Sequence, residues 1–171
     1  MGPGEYTPDL TEGITRVEDL PTPSVQHCSR NYRRRPCPQC GRSCPRHSLG
    51  QRTLHDLGSP CSGRPRQLHV AYSKHSCKPC GLHFSAGLSD LAPPGSHYTG
   101  RVITLAVRLV VEDGLPYRTA SWHLWRDHRV FVPYATLQNW VEAAGGKSQR
   151  PGGAGAPGLG AVRLLRLPGG R

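Results

Sequence analysis

The chain has 171 residues, of which 36% are hydrophobic, and it contains 21 glycines and 17 prolines. This composition argues against one large core and favours small units, in which a bound metal replaces missing hydrophobic burial. No apolar run approaches the roughly 18 residues that a membrane-spanning helix needs, and the acidic N-terminus lacks the apolar region of a signal peptide. We therefore expect a cytoplasmic protein whose seven cysteines bind metal rather than form disulfides.

The formal net charge of +11 is concentrated in one segment of the chain. Residues 1–27 carry a net charge of −4, residues 28–80 carry +10, and residues 81–145 are neutral. A positive field on one segment is typical of a surface that faces phosphate groups. The alternative is an arginine-rich surface that is only solvated.

The N-terminal segment and the segment after it differ in their patterns. Residues 1–30 are predicted to be a flexible acidic lead-in, with a short helix near residues 15–20, because they are polar and interrupted by prolines. Residues 31–92 are predicted to form a small β unit. Leu68, Val70 and Tyr72 alternate along a strand, residues 52–57 are its expected antiparallel partner, and residues 58–63 are the connecting turn.

Two Cys-x-x-Cys pairs, each followed by a glycine, are the strongest chemical signal in the β unit. Cys37 and Cys40 form the first pair, and Cys77 and Cys80 form the second. Four thiolates make a closed tetrahedral site for a structural zinc ion. Each pair is expected to cap a hairpin, as in a zinc ribbon, and an inserted hairpin explains the long gap between the pairs.

Other interpretations of the cysteines stay open. The four thiols can be reduced and buried without a metal, or one pair can perform redox chemistry. Redox motifs usually begin a helix, whereas strands flank both pairs here, so a thiol oxidoreductase is disfavoured. Three cysteines belong to neither pair, namely Cys28, Cys44 and Cys61. Near the pairs lie Cys44, His47 and His75, which could replace a ligand or contact the ligands.

Residues 93–146 are predicted to form three short helices in a helix-turn-helix unit, the third lying in the DNA major groove. Gly114 is expected to end the first helix, Pro116 and Pro133 to open the next two, and residues 145–146 to end the third. The three helices show apolar stripes at helical spacing, namely Val102, Leu105, Ala106, Leu109 and Val110; Tyr117, Ala120 and Leu124; and Leu137, Trp140, Val141 and Ala144.

Two sets of side chains are candidates for DNA contacts. Thr136, Gln138 and Asn139 project away from the apolar stripe of the third helix, and amide side chains can read adenine in the major groove. The alternative is an ordinary polar helix face. The second set is an arginine rim around the first cysteine pair that suits phosphate contacts, namely Arg33, Arg34, Arg35, Arg42 and Arg46.

The remaining sequence offers no active site. We find no nucleophile elbow, P-loop or His-Glu-x-x-His motif, and the few acids do not suggest a carboxylate cluster that holds two metal ions. Residues 147–171 are rich in glycine and arginine and are predicted to be disordered. The chain is therefore expected to be no enzyme and to have no small-molecule substrate.

In combination, these motifs resemble the N-terminal part of bacterial insertion-sequence transposases, which carry a zinc ribbon, a helix-turn-helix and an RNase H-like domain with an Asp-Asp-Glu triad. The resemblance covers roughly residues 33–145. It is carried by Cys-Pro-Gln-Cys-Gly at 37–41, Arg-Thr-Leu-His-Asp-Leu at 52–57, Cys-Lys-Pro-Cys at 77–80, Asp-Leu-Ala-Pro-Pro at 90–94, Gly-Leu-Pro-Tyr-Arg-Thr-Ala-Ser at 114–121 and Val-Pro-Tyr-Ala-Thr-Leu-Gln-Asn-Trp at 132–140.

The resemblance implies that the ribbon and helices recognise double-stranded DNA at transposon ends, and hence that the protein is associated with the nucleoid. It makes the four paired cysteines the zinc ligands, and it adds the motif positions Arg118 and Tyr134 to the DNA-contacting set. Intact transposase or a second copy of the chain would be further partners. The catalytic domain of the family is missing, so we expect a truncated or frameshifted fragment. The alternative is a stand-alone zinc ribbon that binds RNA or takes part in transcription.

Overall fold

The computed structural model describes residues 14–148 and shows a curled mixed β-sheet beside three α-helices. The α+β class predicted from the sequence is confirmed. Disorder was predicted for residues 147–171, but residues 147 and 148 belong to the last helix. Residues 149–171 and the first part of the predicted lead-in fall outside the described residues. A 3₁₀ turn at Val17–Asp19 precedes the elements β1 (Ser24–Arg30), β2 (Arg34–Pro36), β3 (Ser43–Asp56), β4 (Arg66–Cys77), β5 (Leu82–Ser85), α1 (Gly100–Val111), α2 (Tyr117–His128) and α3 (Tyr134–Ser148).

Strand β4 is the centre of the sheet. Strand β3 pairs antiparallel with one edge of β4, and β1 (parallel) and β5 (antiparallel) share the other edge. Strand β2 extends the sheet beyond β3. The register aligns Arg52 with Val70 and Leu54 with Leu68, so the predicted antiparallel pairing of these two segments is confirmed.

Strand β1 lies inside the segment that was predicted to be a flexible lead-in. Its side chains are exposed or half-buried along its whole length, so it shows little of the apolar alternation that marks a strand in sequence. Backbone hydrogen bonds to β4 hold it instead, with Ser24 aligned to Arg66 and Arg30 to Tyr72. A strand that is stabilised by its ladder rather than by its side chains leaves a weak sequence signal.

The buried side of β4 changes along its length. Leu68 and Val70 are buried in a core with Leu54 and Ala92, whereas Ser73, His75 and Cys77 are buried at the other end of the strand. Side chains at odd and even positions of a strand point to opposite faces. The two ends of β4 are therefore covered on opposite faces, and a β-bulge between Arg46 and Ser48 in β3 accompanies this change.

The three helices enclose their own hydrophobic core. Val102, Ala106 and Leu109 of α1 pack with Leu124 of α2 and Leu137 of α3, which confirms the predicted stripes. The third stripe is confirmed for Leu137 and Trp140, whereas Val141 is half-buried outside this core and Ala144 is exposed. Within residues 14–148, no helix combines the length and apolar character needed to cross a bilayer.

The end of α3 also differs from the prediction. Helix α3 continues through Gly145 to Ser148 instead of ending at residues 145–146. Gly145 does not have the left-handed backbone conformation that a C-terminal helix cap uses, whereas Gly114 after α1 does, with a φ of 68°. The glycine pair therefore costs some helix stability without ending the helix.

The end of β3 docks the helices onto the sheet. The His55 N–H donates to the His97 carbonyl oxygen at 2.8 Å, and the Thr99 N–H donates to the His55 carbonyl oxygen at 3.0 Å. The buried Asp56 carboxylate accepts a hydrogen bond from the Thr99 hydroxyl at 2.7 Å and lies 3.4 Å from the Arg101 guanidinium. Because the charge is buried and paired, breaking this contact would be costly.

A second contact joins the sheet to α2 at Gly58. Its N–H donates to the carbonyl oxygen of His128, the last residue of α2, at 2.8 Å. A β-carbon at this position would lie 2.5 Å from both the His128 and the Arg64 carbonyl oxygens. Only glycine allows this approach of three backbone segments.

Gly58→Ala should therefore destabilise the protein by about 1–3 kcal/mol, because backbone atoms on both sides must move to accept the methyl group. Denaturant unfolding of the full chain measures this change. Gly87→Ala is the matched control, because a β-carbon added there would meet open space and its φ is not in the left-handed region. Equal stability of the two variants would contradict the close contact at Gly58.

Candidate metal centre and nucleic-acid interface

Both cysteine pairs lie in hairpin turns, as the sequence predicted. Cys37 and Cys40 occupy the turn between β2 and β3, while Cys77 ends β4 and Cys80 precedes β5. The Cys37 N–H donates to the Arg42 carbonyl oxygen at 2.8 Å and so closes the first turn. The glycine after each pair has a left-handed φ, 71° at Gly41 and 63° at Gly81, which explains why each pair is followed by glycine.

The two turns bring four thiols together. The Sγ atoms of Cys37, Cys40, Cys77 and Cys80 all lie within 4.8 Å of one another, and those of Cys40 and Cys77 are 3.6 Å apart. Four sulfur atoms at about 2.3 Å from a tetrahedral ion are separated by about 3.8 Å. The thiols are therefore close enough to bind one metal ion and supply all four ligands.

The acidities of these thiols differ because of their surroundings. Backbone N–H groups, chiefly that of Cys40 and also that of Gln39, lower the pKa of Cys37 to about 7. The hydrogen bond to the Cys40 thiol, together with burial, raises the pKa of Cys80 to about 12. A cation is required to hold all four as thiolates at neutral pH, and protons compete with it as the pH falls.

The other cysteines and nearby histidines do not belong to this group. Cys44 is buried beside Cys37 and Cys77, and burial raises its pKa to about 11, so it stays a neutral thiol. Its Sγ donates to the Arg42 carbonyl oxygen at 3.4 Å. His75 is also buried and contacts backbone and hydroxyl groups rather than the thiols, while His47 is exposed.

The predicted arginine rim surrounds the first cysteine turn. Arg34 and Arg35 lie on β2 opposite Pro45 and Cys44, and the Arg46 N–H donates to the Arg33 carbonyl oxygen at 2.9 Å. We call residues 30–46 the arginine hairpin. Within residues 14–148, no carboxylate forms an ion pair with any of the five arginines of the rim, Arg33, Arg34, Arg35, Arg42 and Arg46.

Helix α3 presents the predicted polar face. Gln138 and Asn139 are exposed and Thr136 is half-buried, while Leu137 between them is fully buried. The Gln138 amide donates to the Glu142 carboxylate at 2.8 Å, so Gln138 must leave this partner to contact a base.

Arg118 and Tyr134, the two motif positions, lie together. The Arg118 guanidinium lies over the Tyr134 ring, 5.3 Å from its centroid, and the Tyr134 side chain is half exposed. Stacking on the ring restricts the rotamers of this exposed guanidinium.

The structure adds an aromatic groove of 260 Å³ that the sequence analysis did not propose. Trp125 is buried there, and its indole N–H donates to the Ile14 carbonyl oxygen at 3.1 Å. Trp122, one turn away on α2, and Phe131 are about half exposed. The spacing of the two tryptophans was the available signal, since side chains three residues apart lie on the same face of a helix.

Cys77→Ser should abolish metal binding by the full chain and unfold the end of the sheet, because a ligand of a closed four-thiol site is lost. The metal content of the purified protein and its circular dichroism measure the two effects. Cys61→Ser is the control, since Cys61 is exposed and outside the thiol cluster. Retention of a full equivalent of metal by Cys77→Ser would contradict the four-ligand site.

Comparison of this chain with protein-family models, with curated proteins and with solved structures finds no match.

Proposed function

We propose that this chain is a DNA-binding module in which a structural zinc ion holds together the two hairpin turns of a zinc ribbon, and a helix-turn-helix unit follows the ribbon. Five rim arginines without a carboxylate partner among residues 14–148 surround the first metal-binding turn, and this observation carries the proposal. Guanidinium groups that are not neutralised within the protein are available for phosphate groups. They supply affinity for nucleic acid, and another element has to supply sequence preference.

Zinc is the ion that best fits the thiol cluster. Tetrahedral sites of four thiolates take zinc or iron, and two Cys-x-x-Cys-Gly turns at the ends of hairpins form the usual zinc ribbon. A site in which the protein fills all four positions has no place for a reacting water. The zinc would therefore stabilise the fold, and its binding free energy would contribute directly to folding.

Helix α3 is the element that best suits base recognition. It follows α2 after a connection of residues 129–133, and its buried Leu137 fixes which face points outward. Asn139 and Gln138 on that face can make bidentate contacts to adenine, while Arg118 and Tyr134 lie near the start of α2 and α3. In this proposal, α2 and α3 form a helix-turn-helix whose second helix enters the major groove.

The resemblance to insertion-sequence transposases suggests the target, namely double-stranded DNA at transposon ends. We propose that the chain recognises these ends without carrying out catalysis itself. Asp56, the one buried carboxylate among residues 14–148, is paired with Thr99 and Arg101 at the junction of sheet and helices. A second copy of the chain or an intact transposase would share the same DNA.

One observation favours a second candidate, a stand-alone ribbon that binds RNA. The arginine hairpin holds six arginines and no acid, whereas residues 81–145, which contain nearly all of the three helices, carry no net charge. A ribbon that recognises RNA is expected to prefer folded RNA over duplex DNA. Competition between the two nucleic acids for the zinc-loaded protein separates these functions.

The salt dependence of duplex binding tests the role of the arginine hairpin. Replacing Arg34 and Arg42 with alanine should reduce the slope of log K against log salt by roughly 0.9 per lost phosphate contact. Arg108→Ala removes a similar exposed charge that is paired with Glu112 at 3.1 Å and should leave the slope unchanged. Equal slopes for wild type and the double variant would exclude the hairpin from the interface.

Asn139→Ala tests base recognition by α3. If Asn139 reads a base, the variant should lose about 1–3 kcal/mol of discrimination between the preferred duplex and a scrambled one. The fold should be intact, because the side chain is exposed. Binding selection with wild type first gives the preferred duplex, and Thr104→Ala on α1 is the control. An unchanged preference in Asn139→Ala would make this face an ordinary solvated one.

A further inference from the structure

A buried chain of polar groups begins near the metal-binding end of β4. Ser73 and His75 are 0% and 1% exposed, so their polar atoms need partners inside the protein. His75 Nε2 lies 2.9 Å from the Ser73 hydroxyl oxygen, and His75 Nδ1 lies 3.2 Å from the Cys44 carbonyl oxygen. Phe84 stacks on the imidazole, with ring centroids 5.5 Å apart. His75 is therefore fixed between β3, β4 and β5.

Ser73 extends this chain to the arginine hairpin. Its hydroxyl oxygen accepts a hydrogen bond from the Tyr32 N–H at 3.1 Å and lies 3.3 Å from the Arg30 carbonyl oxygen. Arg30 ends β1 and Arg34 begins β2. The Ser73 hydroxyl thus fixes the backbone that connects these two strands, at the point where the run of arginines starts.

Tyr32 links the position of this backbone to that of an arginine side chain. Its N–H is held by the fully buried Ser73, while its own side chain is 42% exposed. The Arg35 guanidinium lies over the Tyr32 ring, 5.1 Å from the centroid. Stacking on an aromatic ring restricts the rotamers of an arginine, which reduces the entropy lost when that arginine binds a phosphate.

We infer that Ser73 is a positioning residue for nucleic-acid binding, which acts through Tyr32 to orient the Arg35 guanidinium toward phosphate. The His75 imidazole contacts the Ser73 hydroxyl on the side that faces the cysteine cluster. Neither Ser73 nor His75 touches the nucleic acid. The inference rests on the proposed function, because the orientation of Arg35 matters only if the arginine hairpin binds nucleic acid.

A double-mutant cycle on the zinc-loaded full chain tests this role. Ser73→Ala, Arg35→Ala and the double variant are compared in their affinity for a blunt DNA duplex. Each single variant should weaken binding roughly 3- to 10-fold, and the double variant should be no weaker than Arg35→Ala. Ser29→Ala is the matched control, since Ser29 is exposed on β1 beside Arg30. Zinc content and thermal unfolding establish that each variant is folded.

Two results would overturn the inference. Additive losses in the double variant would mean that Ser73 acts independently of Arg35, and wild-type affinity of Ser73→Ala would mean that it has no role in binding. If Ser73→Ala loses zinc, Tyr32→Leu takes its place, because this exposed change removes the ring and keeps the N–H. Unchanged affinity of Tyr32→Leu would equally overturn the inference.

Hydrogen exchange at the Tyr32 amide separates this inference from the proposed function. Exchange should be faster in Ser73→Ala than in wild type, because the amide loses its buried acceptor. If wild type does not bind the duplex, the proposed function fails, and positioning of Arg35 for phosphate fails with it. Slow exchange that is retained in Ser73→Ala would reject the Ser73–Tyr32 link even if the duplex is bound.

Discussion

The mutual repulsion of clustered thiolates is the constraint on which the metal-binding end of the sheet depends. Four sulfur atoms lie within 4.8 Å of one another, and cysteines take the place of aliphatic residues in the small core beside them. Unless a cation lies among them, only some of these thiols can be ionised at the same time. The position of the arginine hairpin follows from this cluster, because its central turn supplies two of the four thiols.

Strand β3 connects the cysteine cluster to the helices. It begins just after the first cysteine turn and ends at Asp56, where Thr99 and Arg101 bind the buried carboxylate. The Arg52 guanidinium adds hydrogen bonds to the Pro93 and Ser96 carbonyl oxygens in the segment that leads to α1. One strand therefore connects the metal centre to the helical core, so the two units keep a fixed orientation through hydrogen bonds rather than a flexible linker.

Features that require a regular spacing of residues could be predicted from the sequence. The cysteine turns, the β3–β4 pairing and the three helices were all visible in this way. Strand β1 was missed because none of its side chains is fully buried and its apolar residues do not alternate, while its backbone pairs with β4. The predicted end of α3 was wrong because glycine can stay helical. The roles of Ser73 and His75 could not be predicted, since a buried hydroxyl or imidazole has no spacing rule and depends on which segment folds over it. Zinc, DNA and the transposon target stay predictions.

The parallel pairing of β1 has a consequence for the order in which the chain folds. The β3–β4 hairpin and the helices form from contacts that are close in sequence, whereas Ser24 must find Arg66 across both β2 and β3. Closing so long a loop costs entropy before any contact offsets it. We therefore expect strand β1 to add to a sheet that already exists.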